Sequence, residues 1–291
     1  MRSALINNLS DPEQDSSHWI KLPGLCCQAA GGDPVWAEDL AQAWALFYAG
    51  AGILDKIEDR DQPDPWWANT GEGVAANAAS GLYFTASLLL DGLYSREETR
   101  DLAREIVVDF YQTLLSMSSG QHRDLTTPEP NLEEYWQIAA AKSGEFFSLA
   151  CRSGARLATK EPARIQRFSD FGLHLGIILQ IMDDLEDLKD LQATAGGNPI
   201  EIGSSLPVVY LLSVSPPEEQ IAIRQKLGLI SSDDRVSEEI LNKIGQAGAG
   251  LYILAEIERH RTQALIALDQ ANPDPETQDE LIRLLPKIED I

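Results

Sequence analysis

Apolar positions recur at helical spacing along almost the whole chain, and the alternating runs with hairpin turns that mark strands are missing. The pattern predicts helices over roughly 13–31, 35–61, 71–92, 95–118, 131–158, 161–191, 203–213, 217–227, 234–247, 251–271 and 275–289. Between them stand Gly31-Gly32-Asp33-Pro34, Pro63-Asp64-Pro65, Ser118-Ser119-Gly120, Pro128-Glu129-Pro130, Gly196-Gly197-Asn198-Pro199 and Pro216-Pro217, the residue types that break helices. Pro34 and Pro217 fall near helix starts, where a missing N–H costs little. No linker is long or simple enough to mark a boundary, so the pattern predicts one all-α domain over residues 1–291.

Two helices depart from the ordinary amphipathic pattern by ending in acids. In LGIILQIMDDLEDLKDL, Leu175 to Leu191, an apolar run passes without a breaker into Asp183, Asp184, Glu186 and Asp187. Asp183 and Asp187 share a face, with Asp184 beside them. In GAGILDKIEDRDQPDP, Asp55 and Asp59 stand at i and i+4. Each cluster alone could be a solvated helix end in an acidic protein. Facing one another across a bundle core, the two could form a multi-metal diphosphate site. Mg2+ suits such a place, because it takes one or two carboxylates and shares its remaining shell with waters and substrate phosphates.

The charge balance narrows the partners. With 23 basic and 46 acidic residues the formal net charge is −23, which repels nucleic acid and anionic membrane surfaces. An anionic substrate then needs metal ions or a local basic cluster. Cys26, Cys27 and Cys151 are odd in number and lack ligand spacing, which fits thiols in a reducing cytoplasm. The polar N-terminus has no signal-peptide core, and no apolar run of about 20 residues suggests a membrane span.

Several motifs, in one order, resemble the trans-isoprenyl diphosphate synthase (polyprenyl synthetase) family. The second acidic motif reads Asp183-Asp184-Leu185-Glu186-Asp187 with Gln180 before it, similar to that family's GxxFQxxDD and DDxxD patterns. Gly120 to Leu125 (GQHRDL) resembles GQxxDL, and Leu132 to Phe147 resembles LxxYxxxxxxKTxxLF, placing Lys142 and Ser143 on the Lys-Thr pair. Gly154-Ala155 follows at the family's distance, and Ser204 to Leu212 resembles its TLPxxxAL segment. The resemblance implies the all-α isoprenoid synthase type I bundle, a homodimer, and Mg2+-dependent ionisation of an allylic prenyl diphosphate. It assigns Asp55, Asp59, Asp183, Asp184 and Asp187 to metal binding, and Lys142 and Gln180 to contact with the diphosphate or its cation. Lys21, Lys56 and Ser143 join the substrate-binding set. The positions one and two turns before the first motif set chain length in the family. Here Gly50 and Ala51 would leave room for a prenyl tail, with Phe47 and Tyr48 as its floor.

The departures fall on the other substrate. The first motif reads Asp55-Lys56-Ile57-Glu58-Asp59, with lysine in place of its second acid. The family's Arg-Arg-Gly would fall near Asp64-Pro65-Trp66, its Gly-Lys-Arg near His18-Trp19-Ile20 with Lys21 alone close by, and a later lysine is replaced at Ser204. In the family these cations grip isopentenyl diphosphate, and Pro or Trp cannot replace a guanidinium fork. The acids that serve the allylic diphosphate remain; the cations that serve the second substrate do not. The resemblance therefore leaves open chain elongation, cyclisation, transfer to another acceptor and, in a different class, a non-catalytic subunit. Lys56 could supply part of a metal's charge or be a surface lysine, and Arg60 could partly replace the lost arginines or be solvated. Trp66 and Trp67 could face a carbocation or pack as loop residues. His18, His122, His174 and His260 show no ligand spacing and read as structural.

Overall fold

A computed structural model of the protein describes residues 17–59, 66–127, 129–193, 199–230 and 234–286. All regular structure among them is helical: α1 (Ser17–Ile20), α2 (Leu22–Ala29), α3 (Glu38–Glu58), α4 (Glu72–Leu90), α5 (Arg100–Thr126), α6 (Leu132–Ala139), α7 (Glu145–Ala158), α8 (Pro162–Ala193), α9 (Pro199–Ser204), α10 (Leu206–Val214), α11 (Pro217–Leu227), α12 (Asp234–Gln246), α13 (Ala249–Gln270) and α14 (Pro275–Arg283). Prolines mark the starts. Pro23, Pro34, Pro207, Pro217 and Pro275 each occupy one of the first two helical positions, where no intrahelical N–H bond is lost. Gly31, at φ +94°, ends α2 in the left-handed conformation that glycine adopts without strain.

The predicted helix set holds in outline, though the described part of 13–31 is two helices parted at Lys21 and α9 begins before the helix predicted from 203; three further differences stand out. The Ser118-Ser119-Gly120 stretch continues α5 instead of breaking it. Ser119 Oγ donates back to the Leu115 carbonyl (3.0 Å), and a Cβ on the buried Gly120 would stand 3.0 Å from that of Ala141, so glycine here permits close packing. Residues 131–158 are not one α-helix, because a π-helical turn over Ala140–Gly144 separates α6 from α7. The third concerns α4. With its 3₁₀ continuation to Tyr94 it is long and apolar enough to cross a membrane by length and composition alone, contrary to the reading that no such run exists. Interspersed Ala, Gly and Ser hide that run from a search for large apolar residues. The breakers at 63–65 and 196–198 lie outside the described residues.

Residue contacts gather into two compact units, and the boundaries fall inside helices as well as after Leu285. The first comprises 1–113, 147–172 and 265–285. Its core includes Leu22, Leu40, Trp44, Phe47, Leu90, Phe110, Phe168 and Phe171. Arg164 ties its helix ends together by donating to the carbonyls of Ala29, Ala30, Ala271 and Asn272, at 2.8–3.2 Å. These are terminal carbonyls without intrahelical partners, so one guanidinium satisfies four of them.

The second unit comprises 114–146, 173–264 and 286–291. Ile202, Val208, Leu211, Ile223, Leu227, Ile240 and Ile244 form one of its apolar clusters. His174 and His260 meet Nδ1 to Nδ1 at 2.8 Å, and Arg259 lies 2.8 Å from His260 Nε2. A guanidinium only donates, so His260 Nε2 accepts, His260 carries its hydrogen on Nδ1, and that hydrogen is donated to His174. Burial, then the charges of Arg259 and His174, push His260 down to about 3, so it stays neutral and structural.

Candidate active site

The second acidic motif lies on α8 in the second unit. Successive helical residues diverge by about 100°, and the two adjacent acids separate accordingly. Asp183 is exposed; Asp184 is 6% exposed and turned inward. Asp184 Oδ2 accepts from Tyr135 Oη (2.7 Å) and from the Leu206 backbone N–H (2.7 Å), and Oδ1 accepts from Gln180 Nε2 (3.1 Å). Burial raises its pKa to about 6, while these three donors and the Lys142 charge pull the other way. Tyr135, itself buried, is pushed well above its ordinary value by desolvation and then by the Asp184 charge. Asp184, expected among the metal ligands, has both carboxylate oxygens engaged by protein donors. The side chain of Asp187 lies outside the described residues.

Gln180 is held from its other end. Its Oε1 accepts from Ser143 Oγ at 2.6 Å, so the predicted Gln180 and Ser143 do come together. Ser143 sits in the π turn beside Lys142, whose Nζ pairs with Asp124 at 3.1 Å. Asp124 belongs to the GQHRDL segment, now seen as the last turns of α5. Glycines bring this turn onto α8. A Cβ on Gly176 would collide with the Ser143 carbonyl oxygen, and one on Gly144 would stand 2.8 Å from Leu173 Cδ1. The extra residue of a π turn shifts the register of the helix after it and frequently marks a functional site.

The first acidic motif ends α3 in the first unit. Asp55 and Asp59 are half-buried, Lys56 stands with them in the last turn, and Asp59 is the C-cap. Carboxylates at the negative end of a helix dipole are disfavoured by about 0.3–1 kcal/mol each. A cation at this end relieves that cost. The donor chemistry on both helices, carboxylate oxygen, is that of Mg2+. Among the described residues no three acids, histidines or cysteines converge on one point. A cation bound to one or two carboxylates therefore needs water or substrate oxygens to complete its shell, which is the way Mg2+ is usually held.

At Gly50, expected to leave room for a tail, the adjoining space is taken by Tyr83. Gly50 is buried, and a Cβ there would lie 2.6 Å from the Tyr83 ring, so glycine lets α3 and α4 touch. Phe47 is buried between Tyr83 and Phe110, with ring centroids 5.3 and 5.4 Å away. Tyr48 stacks on Trp44 at 5.7 Å. Ala51 is half-buried. Tyr83 is the residue that sequence reasoning missed, because nothing in α4's run of small residues says which face it takes. Burial, then the charges of Glu58 and Asp55, push its hydroxyl up to about 12, which sets the phenol near the acidic end of α3.

Of the remaining candidates, Lys21 is exposed at the start of α2. Trp67 is 3% exposed with Trp66 edge-on at 6.3 Å, which is the packing role for Trp67. Residues 60–65, where the family's arginine pair would fall, and the His18 side chain lie outside the described residues.

A model of the family described as polyprenyl synthetase matches residues 25–244. Geranylgeranyl diphosphate synthase of Mycobacterium tuberculosis (strain ATCC 25618 / H37Rv) is 28% identical over 269 residues, covering 88% of this chain and 74% of that one. Tryptophan prenyltransferase ComQ of Bacillus subtilis subsp. natto (strain BEST195) is 32% identical over 147 residues, 50% of this chain and 44% of its own. The solved geranylgeranyl pyrophosphate synthetase of Pyrococcus horikoshii Ot3 shares the fold with a TM-score of 0.78 at 21% identity, over 93% of this chain and 84% of that one. With a family match across most of its length, the same fold, and the Lys142, Ser143, Gln180 and Asp183 segments gathered in one unit, the chain belongs to the polyprenyl synthetase family.

Proposed function

We propose that the protein is a Mg2+-dependent prenyltransferase of isoprenoid biosynthesis that ionises an allylic prenyl diphosphate. The observation that carries this reading is the packing of the Lys142–Ser143 turn onto α8, the helix that bears both Gln180 and Asp183. Ionisation breaks the allylic C–O bond, the electron pair leaves with pyrophosphate, and an acceptor's π electrons then attack the allyl cation with loss of a proton. When bound, Mg2+ supplies charge that stabilises the departing pyrophosphate. Asp183 in the second unit, and Asp55 and Asp59 in the first, are each assigned to Mg2+ binding. Lys142, oriented by Asp124, offers a cation to the diphosphate, and the Gln180 carboxamide, fixed by Ser143 and Asp184, offers a preset dipole to the developing charge. Lys56 contributes a further positive charge at the first motif.

Two acceptors fit. Elongation of isopentenyl diphosphate agrees with the geranylgeranyl diphosphate synthase relative. Transfer to another acceptor is favoured by the missing cations and by the likeness to a tryptophan prenyltransferase over half the chain. Incubation of farnesyl diphosphate and Mg2+ with isopentenyl diphosphate, or with a tryptophan-containing peptide, separates them by mass spectrometry. A longer diphosphate supports elongation and a prenylated peptide supports transfer. Unconsumed farnesyl, geranyl and geranylgeranyl diphosphates with either acceptor would sink both.

We further read the chain as one catalytic domain that works as a homodimer in the cytoplasm. Support for the dimer is exposed apolar residues at helical spacing on α4, where Val74, Phe84 and Leu88 lie and the latter two are 71% exposed, and separately on α5, at Val108 and Tyr111. A second copy covering the α4 residues also explains the span-like composition of α4. Three free thiols, all buried, fit a reducing compartment. Light scattering that returns a monomer would remove the dimer.

A further inference from the structure

The prenyl-transfer reading gives Tyr135 no part, yet its hydroxyl is one of three donors that hold the buried Asp184 carboxylate. Three elements, α6, α8 and α10, meet there. Tyr135 lies one turn into α6, whose start is fixed by a capping box: Asn131 Oδ1 accepts from the Glu133 and Glu134 N–H groups, and Glu134 accepts from the Asn131 N–H at 2.9 Å. The Leu206 N–H is an orphan donor of the first turn of α10. Ser205 precedes it and looks like an N-cap, but its hydroxyl donates to the Ile202 carbonyl at 2.8 Å. Asp184 does the capping instead, from α8. On its other oxygen it takes the Gln180 amide.

This arrangement fixes which way the Gln180 carboxamide points. Its oxygen meets the Ser143 hydroxyl and its NH2 meets a carboxylate. Turned over, the amide would set its carbonyl against the carboxylate, acceptor against acceptor. Only a carboxylate at Asp184 enforces the choice, and Tyr135 Oη, with the Leu206 N–H, holds that carboxylate in place.

We propose that Tyr135 is a positioning residue: through Asp184 it orients the Gln180 carboxamide and anchors the start of α10 to α8, while Asp183 alone of the adjacent pair serves the metal. The proposal rests on the prenyl-transfer reading for its consequence but not for its geometry, and its test separates the two. Tyr135→Phe and Asp184→Asn are both isosteric, and their double variant completes a cycle. Each single variant should lower the rate of pyrophosphate release by about 10- to 100-fold, the usual effect of losing an orienting partner. The Mg2+ concentration for half-maximal rate should stay at the wild-type value, and the double variant should be no slower than the slower single one. A second readout needs neither metal nor activity. In protein labelled with 15N-glutamine, the Gln180 side-chain amide signals, identified by their loss in Gln180→Glu, should shift in Tyr135→Phe. If Asp184→Asn raises the Mg2+ requirement, if the two rate effects multiply, or if Tyr135→Phe leaves the Gln180 amide signals in place, the proposal is overturned. A wild-type protein that releases no pyrophosphate refutes prenyl transfer, while the amide signals still decide the positioning.

Discussion

At the end of α3, Asp55 and Asp59 stand on a helix terminus whose own dipole opposes them, with Lys56 among them. On α8, Asp183 stands within a long helix beside an acid that is turned inward and bonded to three donors on α6, α8 and α10. Both regions grow from the same sequence device, acids at the end of an apolar run. In one, half-buried acids share a helix terminus with a lysine; in the other the fold separates two adjacent acids, one facing out and one serving as a hydrogen-bond hub. Adjacent carboxylates therefore need not share a role, and burial decides between them.

The largest expected effect is at Asp183. Asp183→Ala should lower Mg2+-dependent pyrophosphate release by about 10²- to 10³-fold, with the melting temperature close to wild type because the side chain is exposed. A fall of less than tenfold would return Asp183 to the solvated acids. The braced region should be far less tolerant of volume. Gly176→Ala drives a methyl group against the Ser143 carbonyl and should destabilise by about 3 kcal/mol, the upper end for overpacking. Urea unfolding measures this. Near the first motif the neighbour is a ring, which can be removed: Gly50→Ala should cost about 1–2 kcal/mol, and Tyr83→Ala in the same chain should relieve part of that. Tyr83→Ala alone should also lengthen the product if elongation is the reaction, by opening the space its ring fills.

The fold was legible in the sequence where a residue's own chemistry decides the outcome. Helical periodicity, prolines at helix starts and the glycine after α2 each act locally, and the structure obeys them. The misses share a cause, a partner distant in sequence. Ser118-Ser119-Gly120 reads as a breaker until Ala141 requires the glycine. The π turn keeps an apolar pattern that passes for an α-helix. Gly50 reads as open space until Tyr83 occupies it. Asp184 carried a usable signal: it lies three residues after Ile181 and seven after Ile177, both buried, and so on their face of α8. Reading the motif as a unit hid that signal.

Two smaller effects sharpen the contrast. His260, in the second unit with Asp184, has an ordinary pKa of 6.5 and about 3 in the folded chain. The unfolded chain then binds the extra proton, so stability is full above pH 6.5 and falls progressively as pH drops toward 3. Melting temperatures from pH 7.5 to 5 should decline less steeply in His260→Gln, and parallel curves would contradict the assignment. Lys56→Asp, which restores the second acid of the first motif, should change the Mg2+ requirement by only about two- to threefold, since a charge within reach of solvent is well screened. A larger shift would make Lys56 a substantial part of the cation site.

The most direct test of the account is pyrophosphate release by the wild-type protein from geranyl, farnesyl and geranylgeranyl diphosphates, with and without Mg2+ and with and without isopentenyl diphosphate. Prenyl transfer at this site requires release from at least one donor that depends on Mg2+ and is stopped by a chelator. Absence of Mg2+-dependent release from all three, with isopentenyl diphosphate present or absent, would contradict it.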